Sequence, residues 1–99
     1  MPHYLVLAYD GTDADAMSRR MAARPAHFEG IKPMLESGEV VSGGALLDDD
    51  GKMIGSAMMV NFKDRAGLDA WLKRDPYVTG NVWQRIEVKP MQIAGVPNR

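Results

Sequence analysis

The stretch VVSGGALLDDDGKMIGSAMMVNF, residues 40–62, decides the fold that we predict for this chain. Two apolar runs, residues 40–47 and 54–62, enclose the sequence Asp-Asp-Asp-Gly at 48–51. An Asp-Gly pair between such runs is typical of a hairpin tip, because it tolerates the positive φ of a tight turn. The stretch therefore predicts two consecutive antiparallel strands, and the Gly-Gly pair at 43–44 predicts a bulge or a close backbone approach in the first.

Upstream of this hairpin, the sequence predicts one strand followed by a long helix. Residues 3–9 (HYLVLAY) form a continuous β-favouring run that ends at an Asp-Gly turn. Thr12 or Asp13 would cap a helix over about residues 14–37. Because this helix contains two prolines, we expect a kinked rod or two abutting segments.

The apolar side chains of this helix predict its buried face. Phe28, Ile31 and Leu35 follow the i, i+3, i+7 spacing of a buried stripe. His27, Ile31 and Met34 share a neighbouring face. We therefore expect His27 to lie beside the buried stripe.

Downstream of the hairpin, the sequence predicts a second helix and a last strand. Asp64 would cap the helix, and Pro76 would end it at Asp75, because a residue before proline disfavours the α region. The last strand covers residues 82–93. The helix residues expected to face the core are Leu68, Trp71 and Leu72.

The predicted order of elements is β-α-β-β-α-β. This is the order of ferredoxin-like α+β domains, in which both helices pack on one face of an antiparallel sheet. We assign a single domain to residues 1–93 and a C-terminal tail to 94–99, because 99 residues suffice for only one such core. The helix-free face carries apolar strands, so we expect a homodimer in which two sheet faces close against each other.

Composition restricts the expected partners and cofactors. Twelve basic and thirteen acidic residues give a net charge of −1, so we expect no nucleic-acid binding. The chain has no cysteine and only two histidines, far apart in sequence, so we expect no metal site and no other cofactor. The apolar run near the start is too short for a signal peptide or a membrane span, so we expect a cytoplasmic protein without membrane contact.

Several short motifs follow one another in a characteristic order. They are Arg-Pro-Ala-His at 24–27, Leu-Glu-Ser-Gly at 35–38, Gly-Gly-Ala-Leu at 43–46, Asp-Gly at 50–51, Gly-Ser at 55–56 and Asp-Pro-Tyr at 75–77. In order and spacing they resemble the YCII-related (YciI-like) family, a branch of the dimeric α+β barrel superfamily. The resemblance spans about residues 3–91, and Ala45 departs from it, because family members often carry a proline there.

The resemblance implies a dimer with a cleft between sheet and helices in each subunit. It also implies that His27 and Asp75, which match the family's motifs, form the active site. Catalytic relatives include dechlorinating enzymes acting on chlorinated hydroxyhydroquinones, and the wider superfamily includes muconolactone isomerase. The resemblance therefore implies proton transfer on a small oxygenated ring, without a metal or an organic cofactor.

The residues themselves allow both a catalytic and a structural reading of this pair. An imidazole exchanges protons near neutral pH, although a helix histidine is more often only a half-buried polar residue. An Asp-Pro pair commonly ends a helix, so a catalytic role for Asp75 depends on its contact with His27. Because the two helices lie side by side over one sheet face, we predict that these side chains touch or share one water.

Four further residues are candidate substrate contacts. Arg24 would clamp a carboxylate or phenolate, or else pair with a surface acid. Tyr77 would donate a hydrogen bond or only pack, and Gly44 would let a ligand approach the backbone. Met34 would form an adaptable pocket wall or fill the core. We expect His3 at a strand end or on the surface.

Two functions from different classes follow. The first is a cofactor-free isomerase, or a lyase of the dehydrochlorinase type, in which His27 and Asp75 move protons on a small oxygenated ring or enol. General acid–base catalysis of this kind contributes roughly 10²–10⁴-fold. The alternative is a non-catalytic module that binds a small ligand or a partner. The presence of both a histidine and an acid favours chemistry, because a binding pocket needs no proton-transfer pair.

Overall fold

A computed structural model describes residues 2–97 as a four-stranded antiparallel sheet with three helices. The strands are β1 (His3–Asp10), β2 (Val40–Leu47), β3 (Met53–Asn61) and β4 (Trp83–Met91). The helices are α1 (Ala16–Ser37), α2 (Arg65–Arg74) and α3 (Pro76–Thr79). The strand order across the sheet is β2-β3-β1-β4. The predicted ferredoxin-like α+β fold is confirmed, with one short helix, α3, that was not predicted.

The core lies on the helix-covered face of the sheet. Val6 pairs with Met58 of β3 and with Val88 of β4, and both Val6 and Met58 are buried. Because successive strand residues point to opposite faces, Leu5 and Leu7 project from the other face. Both are only partly buried in the single chain.

Helix α1 is continuous from Ala16 to Ser37, with Pro25 and Pro33 inside it. Of the two predicted alternatives, the two abutting segments are therefore wrong, and the kinked helix stays a prediction. Both prolines are exposed, where water can bind the carbonyl oxygens that lose their N–H partner.

The start of α1 also differs from the prediction. Asp15 takes the N-cap position without a side-chain cap, so the predicted capping by Thr12 or Asp13 is wrong. The Asp13 carboxylate binds the Arg19 guanidinium instead, at 2.6 and 2.8 Å. That hydrogen bond lowers the pKa of Asp13 to about 2.

The face of α1 that packs on the core lies beside the predicted stripe. His27, Ile31 and Met34 are buried, whereas Phe28 and Leu35 are 48% and 51% exposed. The predicted stripe of Phe28, Ile31 and Leu35 is thus wrong at two of three positions. The two exposed side chains line a cavity described below.

The local signals around α2 are confirmed. The Asp64 carboxylate accepts a hydrogen bond from the Gly67 N–H at 2.8 Å, which caps the helix. Leu68 and Trp71 are buried, and Leu72 packs against the core. Asp75 ends α2 in an extended conformation.

Strand β2 carries its irregularities away from its glycine pair. The register shifts between Val40 and Ser42 and between Leu46 and Leu47, so the predicted bulge at 43–44 is wrong. A close approach does occur at Gly43, where a Cβ would lie 3.1 Å from the Ala57 carbonyl oxygen. A side chain at this position would therefore crowd the β3 backbone, and glycine avoids that contact.

His3 begins β1 at a strand end, as expected, but it is 2% exposed rather than on the surface. Its Nδ1 accepts a hydrogen bond from the Ile93 N–H at 2.9 Å, and its Nε2 lies 3.3 Å from the Pro97 carbonyl oxygen. These contacts bring residues 94–97 of the predicted tail back to the sheet. The boundary at residue 93 stays a prediction, and Asn98 and Arg99 lie outside the described residues. Within residues 2–97, no helix combines the length and the apolarity needed to cross a membrane.

Candidate active site

A cavity of about 300 Å³ lies between α1 and the sheet. Ligand sites of small molecules usually measure about 300–1,000 Å³, so this cavity suits a compact ligand. Its wall is mainly apolar, with contributions from Phe28, Ile31 and Leu35 of α1. The polar side chains that line it are those of Arg20, Arg24, His27, Ser56 and Tyr77.

His27 lines this cavity and is in direct contact with Asp75, which lies outside the cavity wall. The distance from His27 Nδ1 to Asp75 Oδ1 is 2.8 Å, and the two side chains are 7% and 2% exposed. The same carboxylate oxygen accepts the backbone N–H of Tyr77 at 2.8 Å. Asp75 is thereby held by the start of α3 while it faces α1.

This contact determines which nitrogen of the neutral imidazole carries its proton. An ionised carboxylate only accepts hydrogen bonds, so His27 Nδ1 must donate. The Nε2 lone pair is then free. Within residues 2–97, Nε2 has no hydrogen-bond partner, yet it is not sealed from the cavity that His27 lines. His27 Nε2 can therefore accept a proton from a bound molecule.

Aromatic rings hold the imidazole from three directions. Tyr77 stacks on it, with ring centroids 3.9 Å apart and an interplanar angle of 14°. The Trp83 and Phe28 rings meet it edge-on, with centroids at 5.7 and 5.5 Å. A ring constrained in this way presents Nε2 in one direction.

A second polar group, which the sequence analysis missed, surrounds Arg20. Its Nη1 donates to both carboxylate oxygens of Asp10, at 2.9 and 3.1 Å, and its Nη2 donates to Ser56 Oγ at 3.0 Å. The guanidinium also lies 4.9 Å from the centroid of the Tyr77 ring. The i, i+4, i+7 spacing of Arg20, Arg24 and His27 on one face of α1 is the sequence signal that points to this arginine.

Three of the four predicted substrate contacts line the cavity. Arg24 does so without an ion pair in the described chain, and its guanidinium lies 5.1 Å from the Phe28 ring centroid. Gly44 borders the cavity with open space where a Cβ would stand. Tyr77 lines it, and burial raises the pKa of the Tyr77 phenol, against the attraction of the nearby arginines. Met34, by contrast, is buried in the core and lies away from the cavity wall.

The acidic and histidine side chains do not assemble into a metal site in the described part of the chain. Among residues 2–97, no group of three or more His, Cys, Asp or Glu side chains is close enough together to hold an ion. Asp10 contacts Arg20, and Asp75 contacts His27. Both carboxylates of the site are thus engaged by protein cations or N–H donors.

Comparison with known sequences places this arrangement in context. The family model for the YCII-related domain matches residues 2–92. Protein YciI of Escherichia coli is 28% identical over 95 residues, which cover 90% of this chain and 95% of that protein. A protein of Emericella nidulans named derivative of benzaldehyde biosynthesis cluster protein C is 32% identical over 85 residues, covering 78% and 87%.

Solved structures share the fold at lower identity. The 5-chloro-2-hydroxyhydroquinone dehydrochlorinase of Burkholderia phenoliruptrix, in complex with 2,5-dihydroxybenzoquinone, superposes with a TM-score of 0.78 at 18% identity. The match covers 91% of this chain and 93% of that one. A dimeric ferredoxin-like protein of unknown function from Jannaschia has a TM-score of 0.54 at 18% identity, covering 94% and 100%.

Proposed function

The chain belongs to the YCII-related domain family, and from this membership we propose that it is a cofactor-free enzyme in which His27 and Asp75 transfer protons on a small molecule. The proposed substrate is a single oxygenated ring or an enol. One observation carries the proposal, namely the buried 2.8 Å hydrogen bond that leaves His27 Nε2 open to the cavity.

The geometry supports a simple proton-transfer cycle. His27 Nε2 takes a proton from a ring carbon or hydroxyl, and Asp75 stabilises the imidazolium that forms. The electron pair left on the substrate forms a double bond. In an isomerase the proton returns at another atom, whereas in a dehydrochlorinase chloride departs from the neighbouring carbon. The second route amounts to loss of HCl, so it needs no oxidant or reductant.

Two relatives support a single-ring substrate. The dehydrochlorinase that shares this fold acts on a chlorinated hydroxyhydroquinone and was captured with 2,5-dihydroxybenzoquinone. The name of the Emericella nidulans relative refers to a derivative of benzaldehyde, which is also a single aromatic ring with an oxygen. A cavity of about 300 Å³ has room for a ligand of this size.

The proposal is tested by turnover of 5-chloro-2-hydroxyhydroquinone, followed as chloride release. We expect His27→Gln to lower turnover by about 10²-fold or more, because it removes the proton acceptor. Glu29→Gln is the matched control, since Glu29 lies on the exposed side of the same helix and pairs with Lys32. Equal turnover by wild type and His27→Gln would refute the proposed mechanism. Binding without turnover would favour the non-catalytic ligand-binding module.

We propose further that two copies pair through the helix-free sheet face. Leu5, Leu7 and Met59 project from that face by strand alternation and are only partly buried in the single chain. The Jannaschia protein with the same fold is described as dimeric, which supports this assembly. The cytoplasmic location and the lack of nucleic-acid binding stay predictions from the sequence.

A further inference from the structure

We propose that the Ser56 hydroxyl, held by Arg20 and Trp83, donates a hydrogen bond to an anionic oxygen of the molecule bound in the cavity. This inference deepens the proposed function and rests on it for the class of ligand, an enolate or phenolate ring. It adds a hydrogen-bond donor, Ser56, for the anionic oxygen of the ligand, whereas His27 accepts the proton.

The argument begins with a count of the lone pairs on Ser56 Oγ. A hydroxyl oxygen has two lone pairs and one O–H donor. Arg20 Nη2 lies 3.0 Å from Oγ, and Trp83 Nε1 lies 3.2 Å from it. Guanidinium and indole nitrogens are donors only, so both lone pairs of Ser56 are occupied. The O–H proton must then point away from both of them.

The described chain offers no acceptor for that proton. Among residues 2–97, Ser56 Oγ makes hydrogen bonds with these two donors alone. Ser56 is nevertheless 4% exposed and lines the cavity. A buried donor without a partner costs free energy unless a bound molecule or water accepts its hydrogen bond. The Ser56 hydroxyl is therefore a donor that a ligand can satisfy.

Arg20 makes this donor suited to a negative oxygen. Its cation is buried with Asp10, both side chains being 4% exposed, and the two Nη1 bonds fix the guanidinium in one orientation. A hydroxyl that accepts from a cation is polarised, and its own O–H becomes a stronger donor. Hydrogen bonds to an ionised acceptor are roughly twice as strong as neutral ones.

The same aromatic side chains connect Ser56 to the catalytic pair. Trp83 donates to Ser56, and its ring meets the His27 ring at 5.7 Å. Tyr77 stacks on His27 and lies 4.9 Å below the Arg20 guanidinium. A ring that loses a proton to His27 can thus place its negative oxygen toward Ser56. This assigns the substrate a hydroxyl or carbonyl oxygen conjugated with the reacting carbon.

The test measures the Kd of 2,5-dihydroxybenzoquinone by absorbance titration at a pH where the probe is ionised. We expect Ser56→Ala to weaken binding about 10- to 100-fold, the range for a hydrogen bond to a charged group. Ser56→Thr keeps a hydroxyl and should restore affinity to within a few-fold. Ser18→Ala is the matched control, because Ser18 is an exposed serine of α1 and lies outside the cavity wall.

Ser56→Cys covers the case in which Ser56→Ala fails to fold. Cysteine is close to serine in size and offers a weak acceptor to Arg20 and Trp83, but its thiol is a poor donor. The Ser56→Cys variant should therefore bind the probe as weakly as Ser56→Ala. Wild-type affinity in Ser56→Ala or Ser56→Cys would overturn the inference, and so would a wild-type protein that does not bind the probe. Weakened binding in these variants, with no turnover by wild type, would refute the catalytic proposal and leave this inference standing.

Discussion

The ring of Tyr77 lies parallel to the imidazole of His27, at a centroid distance of 3.9 Å. Tyr77 follows Asp75 by two residues, and its backbone N–H donates to the oxygen that also binds His27. Pro76 between them takes the first position of α3, where its fixed φ suits a helix start. The Asp-Pro-Tyr turn therefore holds the imidazole by its edge and by its face at once.

Replacing Asp75 by asparagine tests the charge in this contact. The amide oxygen can still accept from Nδ1, but it no longer stabilises an imidazolium. We expect kcat for chloride release to fall by about 10²-fold or more, with KM little changed, because Asp75 does not line the cavity. Asp69→Asn, which breaks only the exposed pair with Arg65, is the control. An unchanged kcat in Asp75→Asn would contradict the assigned role.

The phenol of Tyr77 is expected to make the free energy of unfolding fall at alkaline pH. Burial raises its pKa above the ordinary value, so the unfolded chain ionises at lower pH than the folded one. The contribution of the neutral Tyr77 phenol to the free energy of unfolding is fully present below about pH 10. It is lost as the pH rises further, because the unfolded state then binds fewer protons. We expect Tyr77→Phe to lose less stability than wild type between pH 9 and 11 in urea unfolding. Identical pH curves for Tyr77→Phe and wild type would disprove the prediction.

The parts of the fold that follow from neighbours in sequence were predictable. The hairpin tip at 48–51 and the Asp64 cap depend on side chains acting within four residues of themselves. The buried face of α1 could not be predicted in this way, because Phe28 and Leu35 satisfy the spacing of a core stripe while lining a cavity. Periodicity alone cannot separate an apolar cavity wall from an apolar core.

The site itself depends on contacts across the chain. His27 and Asp75 are 48 residues apart, and the family resemblance together with the side-by-side helices of the predicted fold indicated that they meet. Arg20 needs Asp10 and Ser56, which two different strands supply, so its burial was not predictable from its own neighbours. His3 likewise gains its partner from a residue 90 positions away. Tertiary pairing of polar groups leaves no periodic signal in the sequence.

Two glycine-to-alanine substitutions should change stability in opposite directions. A Cβ at Gly55 would overlap the backbone carbonyl oxygen of Ala8, which cannot move without disturbing the β1–β3 pairing. We expect Gly55→Ala to cost about 1–3 kcal/mol in the free energy of unfolding, as overpacked sites do. Gly30 lies inside α1 with no heavy atom within 4 Å of a built Cβ, so Gly30→Ala should gain about 0.5–1 kcal/mol. Denaturant unfolding of both variants checks the two signs, and a neutral Gly55→Ala would contradict the described packing.

The proposed dimer is tested by a charge placed on the helix-free sheet face. Leu7 projects from the middle of that face and pairs across the sheet with Glu87 of β4. Leu7→Lys therefore creates an opposite-charge pair within the chain, which favours the fold of the single subunit. In a dimer the same lysine and Glu87 would be buried between two sheets, where the desolvation of a charged pair exceeds what the pair returns. We expect wild type to sediment at twice 10.9 kDa and Leu7→Lys at 10.9 kDa, each at micromolar concentration.

Leu7→Met is the control for this experiment, because it conserves volume and apolar character and should stay dimeric. An obligate interface of this kind buries more than about 2,000 Å² in total, so dilution to low micromolar concentration should not dissociate the wild type. A wild-type protein that sediments as a monomer would refute the pairing of sheet faces. A Leu7→Lys variant that remains dimeric would instead place the interface on another surface of the subunit, because the helix-free face would then be free to carry the charge.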